Sequence, residues 1–187
     1  MNSKQELIQY YQWLRRYGYN DSHSGNASIQ DTDSESIWVT PTGACADTLQ
    51  ADDLVACNID GTLGHRASLD GPLHLAVYRK NPKARAVLHS HGAYSVAATL
   101  NGHDFIPVDF EGQYYFEKIP VISIAYDQYL EQAAEAVSDI LADYPVMVVR
   151  GHGVYATAET MNLAYKWTCS FELSAKTWLL AKQAGTL

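Results

Sequence analysis

Apolar residues near the start of the chain recur on a helical period. Leu7, Tyr10, Tyr11 and Leu14 lie three or four positions apart, and Gly18 ends the run, which predicts an amphipathic helix over residues 3–17. "GNASIQD" at 25–31 and "SIWVTPTGA" at 36–44 read as two short strands with a glycine-rich start and a Pro-Thr-Gly turn. "DLVACNIDG" predicts a third strand that closes on Asp60-Gly61. "PLHLAVYRKNP" predicts a helix, with Pro72 tolerated in the first turn and Pro82 just past the end. The run "AVLHSH" at 86–91 predicts a strand, and "YSVAATL" a short helix. "DFEGQYYFEKIP" at 109–120 reads as a polar, aromatic loop, and "IPVISIAY" as another strand. Residues 127–142 place Leu130, Ala133, Ala134, Val137 and Leu141 on one helical face. "PVMVVRGHGVYA" reads as one buried strand with a Gly-His-Gly break near its end. Residues 159–184 form a long final helix with Leu163, Trp167, Phe171, Ala175 and Leu179 inward. Several strand pairs follow each other too closely for a helical crossover. The pattern therefore predicts an α/β fold, three-layer α/β/α with a central mixed, mainly antiparallel sheet. No repeat or linker interrupts residues 1–187, so one domain is expected.

Composition narrows the partners. At 187 residues, 47% apolar and 18% charged, the chain can bury a sizeable core. A formal net charge of −8 argues against nucleic acid or an anionic membrane surface as partner, and leaves room for a small anionic substrate held in a local cleft. Cys45, Cys57 and Cys169 are odd in number and widely spaced, so they form no disulfide framework and no zinc ribbon. A reducing cytoplasm is the expected setting. The N-terminal residues carry Lys4 and Glu6 and no apolar signal core, and no run approaches the ~20 apolar residues of a membrane helix.

The histidines change the picture most. His89 and His91 are two apart on a strand, so they share a face where the strand leaves the core. They are either a hydrogen-bonded buried pair or two metal ligands, since a divalent cation requires the neutral ring. His152 follows a second β-branched run and is flanked by glycines, which leave space beside the backbone. If the two strand ends meet, three imidazoles with an open fourth position have the composition of a catalytic zinc site. His74 faces one side of an apolar helix and reads as structural. His23, His65 and His103 lie in polar turns and read as solvated, although His65-Arg66, close to Ser68, could offer positive charge to an anion. Asp70 sits just before Gly71-Pro72, where it is either a helix cap or an acid–base group.

Taken together, "GNASI" at 25–29, "TPTG" at 40–43, "LHLAVYRKNPKARAVLHSHG" at 73–92 and "VVRGHGVYA" at 148–156 resemble the class II aldolase/adducin family over nearly the whole chain. Its enzymes include L-fuculose-phosphate aldolase and L-ribulose-phosphate 4-epimerase. The resemblance implies that His89, His91 and His152 bind a divalent metal, usually zinc. It implies a substrate-phosphate site at Asn26, Thr42, Gly43 and Ser68, with Leu69 where the family has a second serine. It implies that Asp70, one methylene shorter than the aldolases' Glu, moves the proton. Asp is also what the epimerase branch carries there, but that branch's second Asp aligns with Gln113. The tail residues used by both branches have no counterpart before Leu187. Glu111, Tyr114 and Tyr115 could reach a neighbouring subunit's site or simply pack an interface. The implied protein is a homotetrameric, zinc-dependent lyase performing retro-aldol cleavage of a sugar phosphate or related hydroxy-keto compound. A 4-epimerase, dehydratase or decarboxylase of the same family, and a non-enzymatic adducin-like interaction domain, remain as alternatives.

Overall fold

The computed structural model describes residues 2–31, 34 and 36–187. Its helices are α1 (Ser3–Arg16), α2 (Gly71–Lys80), α3 (Ala93–Ala98), α4 (Phe110–Tyr115), α5 (Tyr129–Leu141) and α6 (Met161–Ala184). Its strands are β1 (Asn26–Gln30), β2 (Ser36–Val39), β3 (Val55–Asn58), β4 (Ala86–Ser90), β5 (Val121–Ile122), β6 (Val146–Val149) and β7 (Gly153–Ala158). The seven strands form one sheet in the order β3-β2-β1-β4-β7-β6-β5. Among the described residues only the β5–β6 pair is parallel. The sheet is mixed and mainly antiparallel, as the close strand spacing predicts.

Strand alternation builds the layers. Val87 of β4, Met147 and Val149 of β6 and Tyr155 of β7 face α2 and α5, where they pack with Leu73, Val77, Val137 and Leu141. The alternate residues Ala86 and Leu88 face α1 and the start of α6. Farther along, Val146, Val148, Val154 and Ala156 meet Phe171 and Ala175 of α6. β4, β6 and β7 are therefore largely apolar on both sides, whereas β1 turns Asn26 and Ser28 toward α2.

Five expectations need correction. The run at 145–156 is two strands: Gly151, at φ +71°, turns the chain so that β6 and β7 pair antiparallel. That glycine is the turn, and β-branched residues on both sides made it read as a flaw in one strand. The stretch at 109–120 contains helix α4, whose Asp109 side chain accepts from the Gly112 amide at 2.9 Å. Six residues are too few to show a helical period. The strand expected at 119–126 keeps only Val121 and Ile122, at the sheet edge. On α6, Phe171 and Ala175 are buried as expected, but Leu163, Trp167 and Leu179 are half-buried, and the buried face also takes in Ala164, Thr168 and Glu172. On α5, Leu130 is exposed rather than inward.

Candidate metal centre and active site

The site forms where three neighbouring strands align. Asn26 of β1 pairs in register with His89 of β4, and His89 with Tyr155 of β7. Their side chains emerge on the α2/α5 face, where the period-two pattern carries Val87 into the core and His89 to its rim. The His89 ring stacks on Tyr155 with centroids 4.0 Å apart and planes within 2°. The His89 Nδ1–H donates to the Val154 carbonyl at 3.0 Å, which leaves Nε2 as the free acceptor.

His91 lies just beyond β4. Its backbone amide is held by the Tyr19 carbonyl and by Asn20 Oδ1, both at 2.9 Å, while Asn20 Nδ2 reaches the His89 carbonyl at 3.5 Å. The buried Asn20 side chain thus clamps both sides of Ser90. Gly25 is required beside it, because a Cβ there would stand 2.4 Å from both Asn20 Nδ2 and the His89 oxygen. His152 enters from the β6–β7 turn. The space beside Gly153 is taken by the other two rings: a Cβ there would meet His91 at 2.6 Å and His89 at 2.8 Å.

The three rings converge. His89 Nε2 is 2.9 Å from His91 Nε2 and 3.3 Å from His152 Nε2. One ligand atom from each lies within 4.8 Å of the others. Three nitrogens bound to one tetrahedral zinc at about 2.0–2.1 Å stand roughly 3.3 Å apart, so the donor set fits such an ion with little movement. Burial pushes all three imidazoles below their ordinary pKa, favouring the neutral form that a metal needs.

Asp70 borders the same centre, with Oδ2 3.9 Å from His89 Nε2. It occupies the position before α2, but its side chain makes no capping bond, which removes the capping alternative. Its carboxylate accepts instead from Asn26 Nδ2 at 2.8 Å, Tyr129 OH at 2.8 Å and Tyr155 OH at 3.1 Å. Tyr129 and Tyr155 also touch through their hydroxyls. Burial alone would raise the Asp70 pKa; the His89 ring and the bonds from Asn26 and Tyr129 outweigh it and hold the carboxyl down at about 2.

One cavity of about 690 Å³ joins these parts, and Asn26, Thr42, Gly43, Ser68, Asp70, His89, His91 and His152 all line it. Several expected phosphate donors are partly engaged. The Thr42 hydroxyl donates to the Ala67 carbonyl at 2.8 Å, and Ser68 Oγ accepts from the Asp70 amide at 3.3 Å, which leaves its own proton available. Leu69, 67% exposed, stands at the rim. His65 and Arg66 line a separate hollow across the 41–44 loop, so the positive charge expected from them faces away from the histidines. Arg150 is the lone arginine or lysine lining the histidine cavity among the described residues. Gln113, Glu111, Tyr114 and Tyr115 are not part of its wall. Tyr129, Tyr155, Asn20 and Arg150 escaped the sequence reading. Tyr155 alone had a signal, as the residue two positions after Gly153 on an alternating strand.

The sequence model of the class II aldolase and adducin N-terminal domain matches residues 5–179. The chain belongs to the class II aldolase and adducin family. Methylthioribulose-1-phosphate dehydratase of Acidiphilium cryptum is 32% identical over 88% of this chain and 81% of its own length. L-fuculose phosphate aldolase of Methanocaldococcus jannaschii is 27% identical, covering 95% of this chain and 96% of that protein. The crystal structure of L-fuculose-1-phosphate aldolase from Thermus thermophilus superposes with a TM-score of 0.89 at 26% identity, over 97% of this chain and 95% of that one. Other relatives of this class II aldolase-family chain carry the names 3-oxo-tetronate 4-phosphate decarboxylase and L-ribulose-5-phosphate 4-epimerase. Among the described residues no helix is long and apolar enough to cross a membrane.

The fold carries a pH signature of its own. His74, expected to be structural, is fully buried, and burial pushes its pKa down to about 4 against the opposing pull of Asp70. The unfolded chain binds that proton near pH 6.5, the folded chain only near 4. His74's contribution is therefore complete above about pH 6.5 and is lost as the pH falls toward 4, at a cost of roughly 3 kcal/mol. Thermal melts of metal-free protein should show Tm falling between about pH 7 and about pH 4.5. A flat Tm over that window would contradict a neutral, buried His74.

Proposed function

We propose that this chain is a divalent-metal-dependent lyase that cleaves a carbon–carbon bond in a sugar phosphate or related hydroxy-keto compound. The observation that carries this is the convergence of three imidazoles and one carboxylate in a single cavity. His89, His91 and His152 would hold the metal, and an all-nitrogen set with an open position suits zinc. When bound, the cation supplies a Lewis acid toward neighbouring hydroxyl and carbonyl oxygens of the substrate. The protein's own residues do the rest. Asp70 starts as a carboxylate, accepts the substrate's hydroxyl proton as the bond breaks, and returns it to carbon. Asn26, Tyr129 and Tyr155 fix its direction beforehand, so little reorganisation is needed during reaction. The Ser68 hydroxyl and the Gly43 amide offer donors to a phosphate, while Thr42 gives its amide and hydroxyl to the Arg66 and Ala67 carbonyls and Leu69 supplies none.

A dehydratase is the second reading, favoured by the 32% identity to a relative of that name. It needs the same proton removal but expels a hydroxyl instead of breaking the carbon chain. The deciding assay offers metal-loaded protein a panel of phosphorylated and unphosphorylated ketoses and keto acids, with product identification. Two carbonyl fragments support the lyase, loss of water supports the dehydratase, and inversion at one carbon the epimerase. No turnover across the panel would favour an adducin-like interaction domain.

We also propose a homotetramer in the cytoplasm. Phe110 and Tyr114 are 87% and 79% exposed on α4, and Leu173 and Leu180 are exposed on α6. Such an apolar area favours burial between subunits. Trp178, by contrast, is half-buried against Phe105 and adds little to that surface. Light scattering at micromolar concentration should give four chains per particle; a monomer would refute the assembly.

A further inference from the structure

Beneath the cavity runs a row of buried polar side chains whose proton positions follow from their partners. Asp70 Oδ2 can only accept, so the amide that meets it at 2.8 Å is the Asn26 Nδ2 group. That leaves Asn26 Oδ1 facing His74 Nε2 at 2.6 Å, and an amide oxygen only accepts. His74 must then carry its proton on Nε2. Its Nδ1, 2.7 Å from Ser28 Oγ, must accept, so the Ser28 hydroxyl donates to it. The Tyr78 hydroxyl, 2.8 Å from Ser28 Oγ, donates in turn. Tyr78, Ser28, His74, Asn26 and Asp70 are all buried. The row ends at Tyr78 without reaching the surface, so it orients groups and does not conduct protons to solvent.

We propose that His74 is a positioning residue for Asp70, acting through Asn26. The carboxylate alone favours the amide's NH2 end, but a ring presenting an acceptor at Oδ1 would oppose that orientation. The Nε2–H of His74 rewards one orientation only, with the NH2 group toward Asp70. Asn26, placed by β1 beside His89, thereby holds Oδ2 in its place 3.9 Å from the His89 ring. The low pKa of His74 agrees with a ring that stays neutral, since a protonated Nδ1 would confront a donating row. The functional meaning of this rests on the proposed role of Asp70, but the geometry can be tested without any turnover.

Two measurements on the full-length, metal-free chain decide it. Nitrogen-15 NMR of histidine-labelled protein should find His74 neutral and protonated on Nε2 at neutral pH. A ring protonated on Nδ1, or a mixture of the two forms, would overturn the proposal even if no variant could be made. Crystal structures of His74→Gln and His74→Leu give the second test. Glutamine keeps a donor for Asn26 and should leave the Asn26–Asp70 bond intact, while leucine should release the amide and turn Asp70 away from His89. An unmoved Asp70 in His74→Leu would show that Tyr129 and Tyr155 suffice and would refute the role. Loss of the bond in both variants would refute it too, because donor rescue would have failed. A failed substrate assay would instead bear on Asp70's chemistry and leave both of these results standing.

Discussion

Alanine in place of His152 should remove the bound divalent metal and, with it, turnover. His152 is the better of two choices. It sits on the β6–β7 turn, half-buried, and its ring meets the rings of His89 and His91 and the edges of Tyr129 and Tyr155. Removing it leaves the sheet intact. His89 is fully buried, stacked on Tyr155 and bonded to the Val154 carbonyl, so His89→Ala also opens a void and strands a carbonyl. That variant should lose about 2–4 kcal/mol of stability along with the metal. Losing an outer partner of a metal ligand typically weakens binding about 10–100-fold, and losing a ligand itself should exceed that. Elemental analysis after gel filtration, with a melt on the same sample, separates the two effects. Stoichiometric metal in a folded His152→Ala protein would refute the three-histidine centre.

Replacement of Asp70 by asparagine is expected to cost about 10²–10⁴-fold in turnover while the metal is retained, the range that a general acid–base group contributes. Were Asp70 a helix cap, asparagine would serve equally well and stability would hardly change. The structure says otherwise. The carboxylate accepts from three donors, and an asparagine amide fits them only if the Tyr129 hydroxyl turns to accept from its NH2 group. A stability loss of about 1–3 kcal/mol should accompany the loss of activity. Asp70→Glu probes reach: a longer acid should keep carbon–carbon cleavage if the cavity accepts the extra methylene. Full turnover of Asp70→Asn on whichever compound the panel identifies would remove Asp70 from the chemistry.

Much of this site could be read before any coordinates, for reasons that differ by residue. His89 and His91 announce themselves because period two is strict on a strand and few other arrangements put two imidazoles on one face. His152 stands out through its glycines, although their purposes were hidden: Gly151 makes the turn, and Gly153 makes way for the His89 and His91 rings, a contact across about sixty residues of chain that no local pattern encodes. Asp70 was visible and its alternatives were not separable, since a cap and a buried acceptor occupy the same place in sequence. Tyr129 and Asn20 carry no signal at all. Each acts through long-range hydrogen bonds alone, and a tyrosine opening a helix or an asparagine in a loop has many bland uses. The helical face of α6 was blurred for a related reason. Glu172, buried in its middle, accepts from the Tyr94 and Ser95 amides at 3.0 and 2.9 Å, a polar role that a hydrophobic pattern counts as an exception.

The place of β4 in the sheet has a consequence for how the protein matures. Its two hydrogen-bonded neighbours, β1 and β7, lie far from it along the chain, one toward each end. Loops of that length must close before either pairing is rewarded, which makes such pairings late and slow events. A nascent chain that has not yet released β7 from the ribosome carries His89 and His91 but cannot present His152, and it has no Tyr155 to brace Asp70. A metal ion that needs all three histidines would bind fully only once β4 and β7 have paired, and its affinity would then add to the stability of the finished sheet.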